Sequence, residues 1–241
     1  MIKFFRHIRK SLIEQNKMGK YFKYAIGEII LVVIGILIAL QINNWNNYNN
    51  ERKKEKSILK ELQKEFLGNK AQFDSVKKVH YRSMKSLNTI IDSLPLSEKQ
   101  IYSLIGDFGF ATNTFTFNPS NGVVNSLINS GNYELIQNDT LRNYLVTWQD
   151  VYQDFLEEEL NHQKYRYEVF DPRVADKSDF ALFQKGDKKA IEKSIAYIMS
   201  SEFRNHLFML RGRLTNVISD LDKGTLENHL NVIIRLSKTN D

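Results

Sequence analysis

The chain of 241 residues contains no cysteine, only three prolines and eleven glycines. Without cysteine there is no disulfide scaffold, no thiol nucleophile and no cysteine-ligated zinc or iron–sulfur centre. Phosphate-cradling glycine loops are absent, as are HExxH and GxSxG. No motif implies a cofactor, a metal or an enzymatic reaction. A disordered chain is also excluded, because 42% of the residues are hydrophobic and 12% aromatic.

Over most of the length neither sign of charge is in excess. The net +6 and pI near 9.2 invite a nucleic-acid reading. Yet residues 1–23 hold Lys3, Arg6, Arg9, Lys10, Lys17, Lys20 and Lys23 against Glu14 alone, which accounts for the whole excess. From residue 24 onward 27 basic residues balance 27 acidic ones, so nucleic acid is not an expected partner. Within 2–13, Ile2, Phe4, Phe5, Ile8, Leu12 and Ile13 recur by threes and fours among the basic residues. This predicts an amphipathic helix lying in the headgroups of an anionic leaflet. Lys17–Lys20 joins that helix to a long apolar run.

The run is Tyr24–Ile42, with twelve residues from Ile29 to Leu40 lacking any polar side chain. Nineteen helical residues span roughly 28 Å, close to the hydrocarbon thickness of a bilayer. Tyr21, Phe22 and Tyr24 border one end, and Trp45 and Tyr48 the other, as interfacial anchors do. Lys17, Lys20 and Lys23 crowd the first edge, whereas Asn43–Asn50 carries no charge. A buried core helix would not need this basic and aromatic border. A cleaved signal peptide would have a shorter leader and small residues before the cut. The expected organisation is a cytoplasmic leader (1–23), a transmembrane helix (24–44) and a periplasmic domain (45–241).

Stepping by three and four along the span collects Ala25, Glu28, Val32, Gly35 and Ala39 on one stripe. Small residues let another helix approach closely, so a second copy or another membrane protein is the expected partner, besides the lipid bilayer itself. Glu28 lies about one turn inside the edge, where pairing with Lys23 or headgroups competes with a proton-carrying role. The latter would make the chain a subunit of an ion-driven energy-transduction complex, which Glu28→Gln would disable.

The remainder reads as all-α: a helical bundle or coiled coil with a loop-rich insertion. Leu59, Phe66, Phe73, His80 and Leu87 recur every seven residues, with Leu62, Val76, Met84 and Ile91 beside them; Asn69 and His80 interrupt the seam. Leu94–Ser97 ends that helix, and Ser97 with Gln100 starts a short one. Gly106–Asn121 reads as an aromatic-anchored loop or short strand. Short helical residues 120–129 stop at Ser130–Gly131. Asn138 opens a helix to about Phe170 whose stripe includes Leu141, Leu145, Trp148, Tyr152, Phe155 and Leu160, and Asp171–Pro172 breaks it. Asp187 opens a helix to about Arg213, and 214–236 is helical with an interruption near Gly224. Glu159-x-x-His162 matches one half of a di-iron bundle motif, but no second half exists and Glu157–Glu159 reads as a solvated face.

The box Tyr24–Asn46, YAIGEIILVVIGILIALQINNWN, resembles the N-terminal signature of a large family of functionally uncharacterised membrane proteins common in Bacteroidetes. Asn118–Leu145, with Ser126-Leu127, Ser130-Gly131, Leu135-Ile136 and Leu141-Arg142, is similar to that family's second motif. The resemblance implies a bacterial inner-membrane setting and lends no catalytic residue or ligand. The expected function is a non-enzymatic accessory, scaffold or sensor acting through protein contacts. A ligand sensor would require a buried polar pocket in the bundle.

Overall fold

A computed structural model describes Lys10, Glu14 and residues 18–239. Of the leader helix expected over 2–13 only Lys10 is described; its other residues, and Lys17, lie outside the described residues. No strand occurs among the described residues, so the class is all-α. The chain divides into two compact units, Met1–Lys56 and Ser57–Asp241.

Helix α1, Met18–Asp92, contains no proline, and only Gly19, Gly27, Gly35 and Gly68 lack a side chain. Nothing in that sequence stops a helix, so the asparagine-rich Asn43–Asn50 is helical as well. In the first unit this helix exposes its large apolar side chains from Ile29 to Ile42. Among the described residues it is the one helix long and apolar enough to cross a membrane: its best window has a mean hydropathy of 2.6, and none of that window is buried.

In the second unit the seven-residue seam of α1 faces inward. Phe66, Phe73, His80 and Leu87 are buried, as are Leu62, Val76 and Ile91. Their partners lie within the same chain. Phe66 meets Trp148 edge-on at 5.0 Å between ring centroids, and Phe73 meets Phe155 at 5.9 Å and Phe117 at 5.4 Å. Such contacts add about 0.5–1.5 kcal/mol each beyond area burial. The seam is therefore that of a bundle helix packed in its own domain.

After α1 come α2 (Glu98–Ser103), α3 (Ile105–Ala111), α4 (Gly122–Ser130) and a 3₁₀ turn, Asn132–Leu135. Gln100 Oε1 accepts from the Ser97 amide at 3.0 Å, fixing the start of α2. Phe108 and Phe110 belong to α3, so their alternation with Phe115 and Phe117 is not a strand's; only 113–121 is irregular. That segment lacks a ladder partner and is instead bonded to side chains. Asn69 Nδ2 donates to the Ser120 carbonyl and Asn69 Oδ1 accepts from the Ser120 amide, each at 2.8 Å. Glu65 Oε2 accepts from the Val123 amide at 3.0 Å and the Ser120 hydroxyl at 3.1 Å. Trp148 Nε1 donates to Asn121 Oδ1 at 2.7 Å. The polar interruption at Asn69 is thus a clasp for the insertion.

Helix α5 (Asp139–Tyr165) is capped by Asn138, whose Oδ1 accepts from the Leu141 amide at 2.9 Å. Asp171–Pro172 does not break the helical path. A π-turn over Arg166–Phe170 leads straight into α6 (Asp171–Lys177), with Asp171 at φ −60°, ψ −46°. Proline is tolerated there because it occupies the first turn, where its missing N–H is not required. Next is α7 (Phe180–Gln184), which composition does not announce. The helix expected over 187–213 is two, α8 (Lys188–Ile198) and α9 (Ser201–Lys223). Ser200 separates them by accepting the Phe203 amide at 3.1 Å as an N-cap. Gly224, at φ +69°, takes the left-handed conformation that ends α9 and starts α10 (Thr225–Leu236). Buried leucines of α9 and α10 complete the core around α1 and α5.

Candidate functional site

The uninterrupted helix α1 places Ala25, Glu28, Val32, Gly35 and Ala39 on one stripe. Val32, Gly35 and Ala39 are exposed, and a Cβ added at Gly35 would have no atom within 4 Å. Lys20, Lys23 and Trp45 are exposed, and Tyr21 is helical. From Tyr21 to Trp45 the rise is about 36 Å, one bilayer with its interfaces. Tyr48 is half exposed, with the Arg52 guanidinium 5.2 Å from its ring centroid.

The bundle holds a site the sequence misassigns. On α5 the solvated residue is Leu160, 46% exposed, while Glu159 is 1% exposed. The reason is periodicity: 141, 145, 148, 152, 155, 159 and 162 alternate steps of four and three, so Glu159 and His162 continue the buried stripe and Leu160 leaves it. Following the period rather than the hydrophobicity finds them.

Glu159 is held by two donors from separate parts of the chain. His80 Nε2 on α1 lies 2.7 Å from Oε1, and the Phe117 amide donates to Oε2 at 2.7 Å. An acceptor-only carboxylate fixes the imidazole with its proton on Nε2. His80 Nδ1 has no hydrogen-bond partner, and neither nitrogen of the buried His162 has one. Burial, then the neighbouring His80, Arg166 and Arg213, push the His162 pKa down to about 4. His162 is therefore neutral at neutral pH. Among the described residues, no three His, Asp or Glu side chains come together to hold a metal ion.

One turn on, Arg166 Nε donates to the Thr112 carbonyl at 2.7 Å, and its guanidinium is ion-paired with Asp171. Tyr165 and His206 share a hydrogen bond of 2.7 Å between Oη and Nδ1. Burial raises the Tyr165 pKa and lowers that of His206. Together these bonds fasten α1, the 113–121 segment, α5, the π-turn and α9 to each other by polar contacts inside an apolar core. Such a network specifies one arrangement of helices.

The model of a family described as "Family of unknown function (DUF6090)" matches residues 28–207. The chain belongs to this family. The family match opens at Glu28 within the apolar stretch of α1 and closes at Leu207 in α9. The matched range thus includes Gly35 and Ala39 of the first unit, and the Asn69 clasp, the His80–Glu159 pair and Arg166 of the second. No curated protein and no solved structure matches the chain.

Proposed function

We propose that this family member is a non-enzymatic, single-pass inner-membrane protein that acts as an accessory, scaffold or sensor through protein contacts. The N-terminal leader is cytoplasmic, Tyr24–Asn44 spans the bilayer, and the helical domain after it is periplasmic. The carrying observation is the run Ile29–Ile42, whose large apolar side chains stand exposed in one continuous stretch of α1. Water does not tolerate a contiguous apolar surface of that extent, whereas lipid does. Lys17, Lys20 and Lys23 stand directly at the first edge, whereas eight uncharged residues, Asn43–Asn50, separate the second edge from Arg52, Lys53, Lys54 and Lys56, and this closer basic cluster supports the stated orientation.

Contacts rather than catalysis are favoured by the state of the polar cluster. Glu159, His80 and His162 are buried, and both oxygens of Glu159 are already occupied by His80 and the Phe117 amide. They serve packing. Small residues of the Ala25–Ala39 stripe supply the helix surface for a second copy or another membrane protein. Purification of the full chain in mild detergent, with identification of what accompanies it, tests the reading. Oligomers or a stoichiometric membrane partner are expected; a chain that emerges alone and monomeric contradicts it.

A further inference from the structure

Between α2, α3, the π-turn, α6, α7, α8 and α9 lies a half-enclosed cavity of about 730 Å³. Its walls are mostly apolar, formed by Ile105, Phe108, Phe170, Val174, Ile195 and Phe203 among others. Only two lining residues are charged, Arg166 and Asp171, and they are ion-paired with each other. Arg166 Nε is committed to the Thr112 carbonyl as well. Tyr197, also in the lining, is 6% exposed, and its hydroxyl has no hydrogen-bond partner. The volume falls inside the range of about 300–1,000 Å³ typical of small-molecule sites, and apolar walls with a few polar groups are their usual composition.

We infer that this cavity is a binding site for an uncharged hydrophobic small molecule with one hydrogen-bonding oxygen, of the long-chain alkanol type. Charge complementarity selects that class. Because the guanidinium and carboxylate neutralise one another, the site carries no net charge to attract an anionic or cationic head. Apolar ligand surface finds the aliphatic and aromatic walls, and the ligand oxygen supplies the partner that the Tyr197 hydroxyl lacks. Such a site goes beyond the membrane reading and does not depend on it. A pocket of this kind is apolar, unlike the polar one expected of a ligand sensor.

The test is photolabelling of the full chain in lipid nanodiscs with a long-chain alkanol carrying a diazirine, followed by peptide mapping. Adducts are expected on peptides covering α2–α3 and α8, besides those on the apolar part of α1. Ala175→Trp fills the cavity from an exposed position on α6 and is expected to cut the cavity adducts about tenfold. Ile105→Glu, at a lining position that is 59% exposed, is expected to do the same by placing an unpaired charge there. Adducts on α1 stay unchanged in both variants, and Phe208→Glu, exposed but outside the lining, changes nothing. Absent cavity adducts, adducts undiminished in both variants, or stronger labelling by the corresponding fatty acid than by the alkanol would overturn the inference.

Discussion

Acidification is expected to loosen the bundle through His162. Its native pKa is held near 4 because the ring is buried and faces His80, Arg166 and Arg213, whereas the unfolded chain binds the proton near the ordinary value of 6.5. A depressed histidine pKa makes the unfolded state the better proton binder between those values, so stability falls as pH drops through 6.5 toward 4. From pH 7 to pH 5 the loss from this one group is about 2 kcal/mol. For a domain of this size that lowers the Tm by about 4–8 °C. His162→Leu removes the titration, keeps the side chain apolar and breaks no hydrogen bond, since neither ring nitrogen has a partner. The assay is thermal unfolding followed by near-UV circular dichroism on the full chain in non-ionic detergent, wild type and variant, at both pH values. Carboxylates common to both proteins cancel in the difference. Wild type is expected to lose about 2 kcal/mol more than the variant over this interval. Equal losses would refute the buried, neutral state of His162.

Glu159→Ala leaves the His80 Nε2 and the Phe117 amide without an acceptor in the core, which is expected to cost about 2–5 kcal/mol in the same unfolding assay. Asn69→Leu removes both bonds to Ser120 and is expected to cost about 2 kcal/mol, with proteolysis starting in 113–121 as the accompanying sign. Gly35→Leu combined with Ala39→Leu is expected to abolish cross-linked oligomers in membranes while leaving the unfolding of the bundle unchanged; unaltered cross-links would remove this stripe as the packing face.

Most of the architecture is legible from patterns of one kind each. The apolar stretch of α1 is read from length and composition, its seam from seven-residue spacing, the start of α5 from Asn138 and the end of α9 from Gly224. What the sequence hides is where two rules conflict. At Glu159 the helical period says buried and the side chain says exposed; the period prevails because His80 and the Phe117 amide supply donors from distant parts of the chain. At Pro172 the residue says stop, but a π-turn places it in a first turn. At Ser200 a capping hydroxyl splits a segment whose hydrophobic pattern runs on. The apolar cavity has no local signature, because its walls come from segments up to about a hundred residues apart that only the tertiary fold assembles.

The absence of cysteine makes the central claim directly measurable, since any single introduced thiol is the sole labelling site. Three full-length variants, Ser11→Cys, Leu37→Cys and Ser57→Cys, are treated with a membrane-impermeant maleimide in intact spheroplasts and again after permeabilisation. Ser57→Cys is expected to react in intact cells, Ser11→Cys only after permeabilisation, and Leu37→Cys in neither. Reaction of Ser11→Cys in intact cells, protection of Ser57→Cys there, or free reaction of Leu37→Cys would contradict a single span with its N-terminus in the cytoplasm.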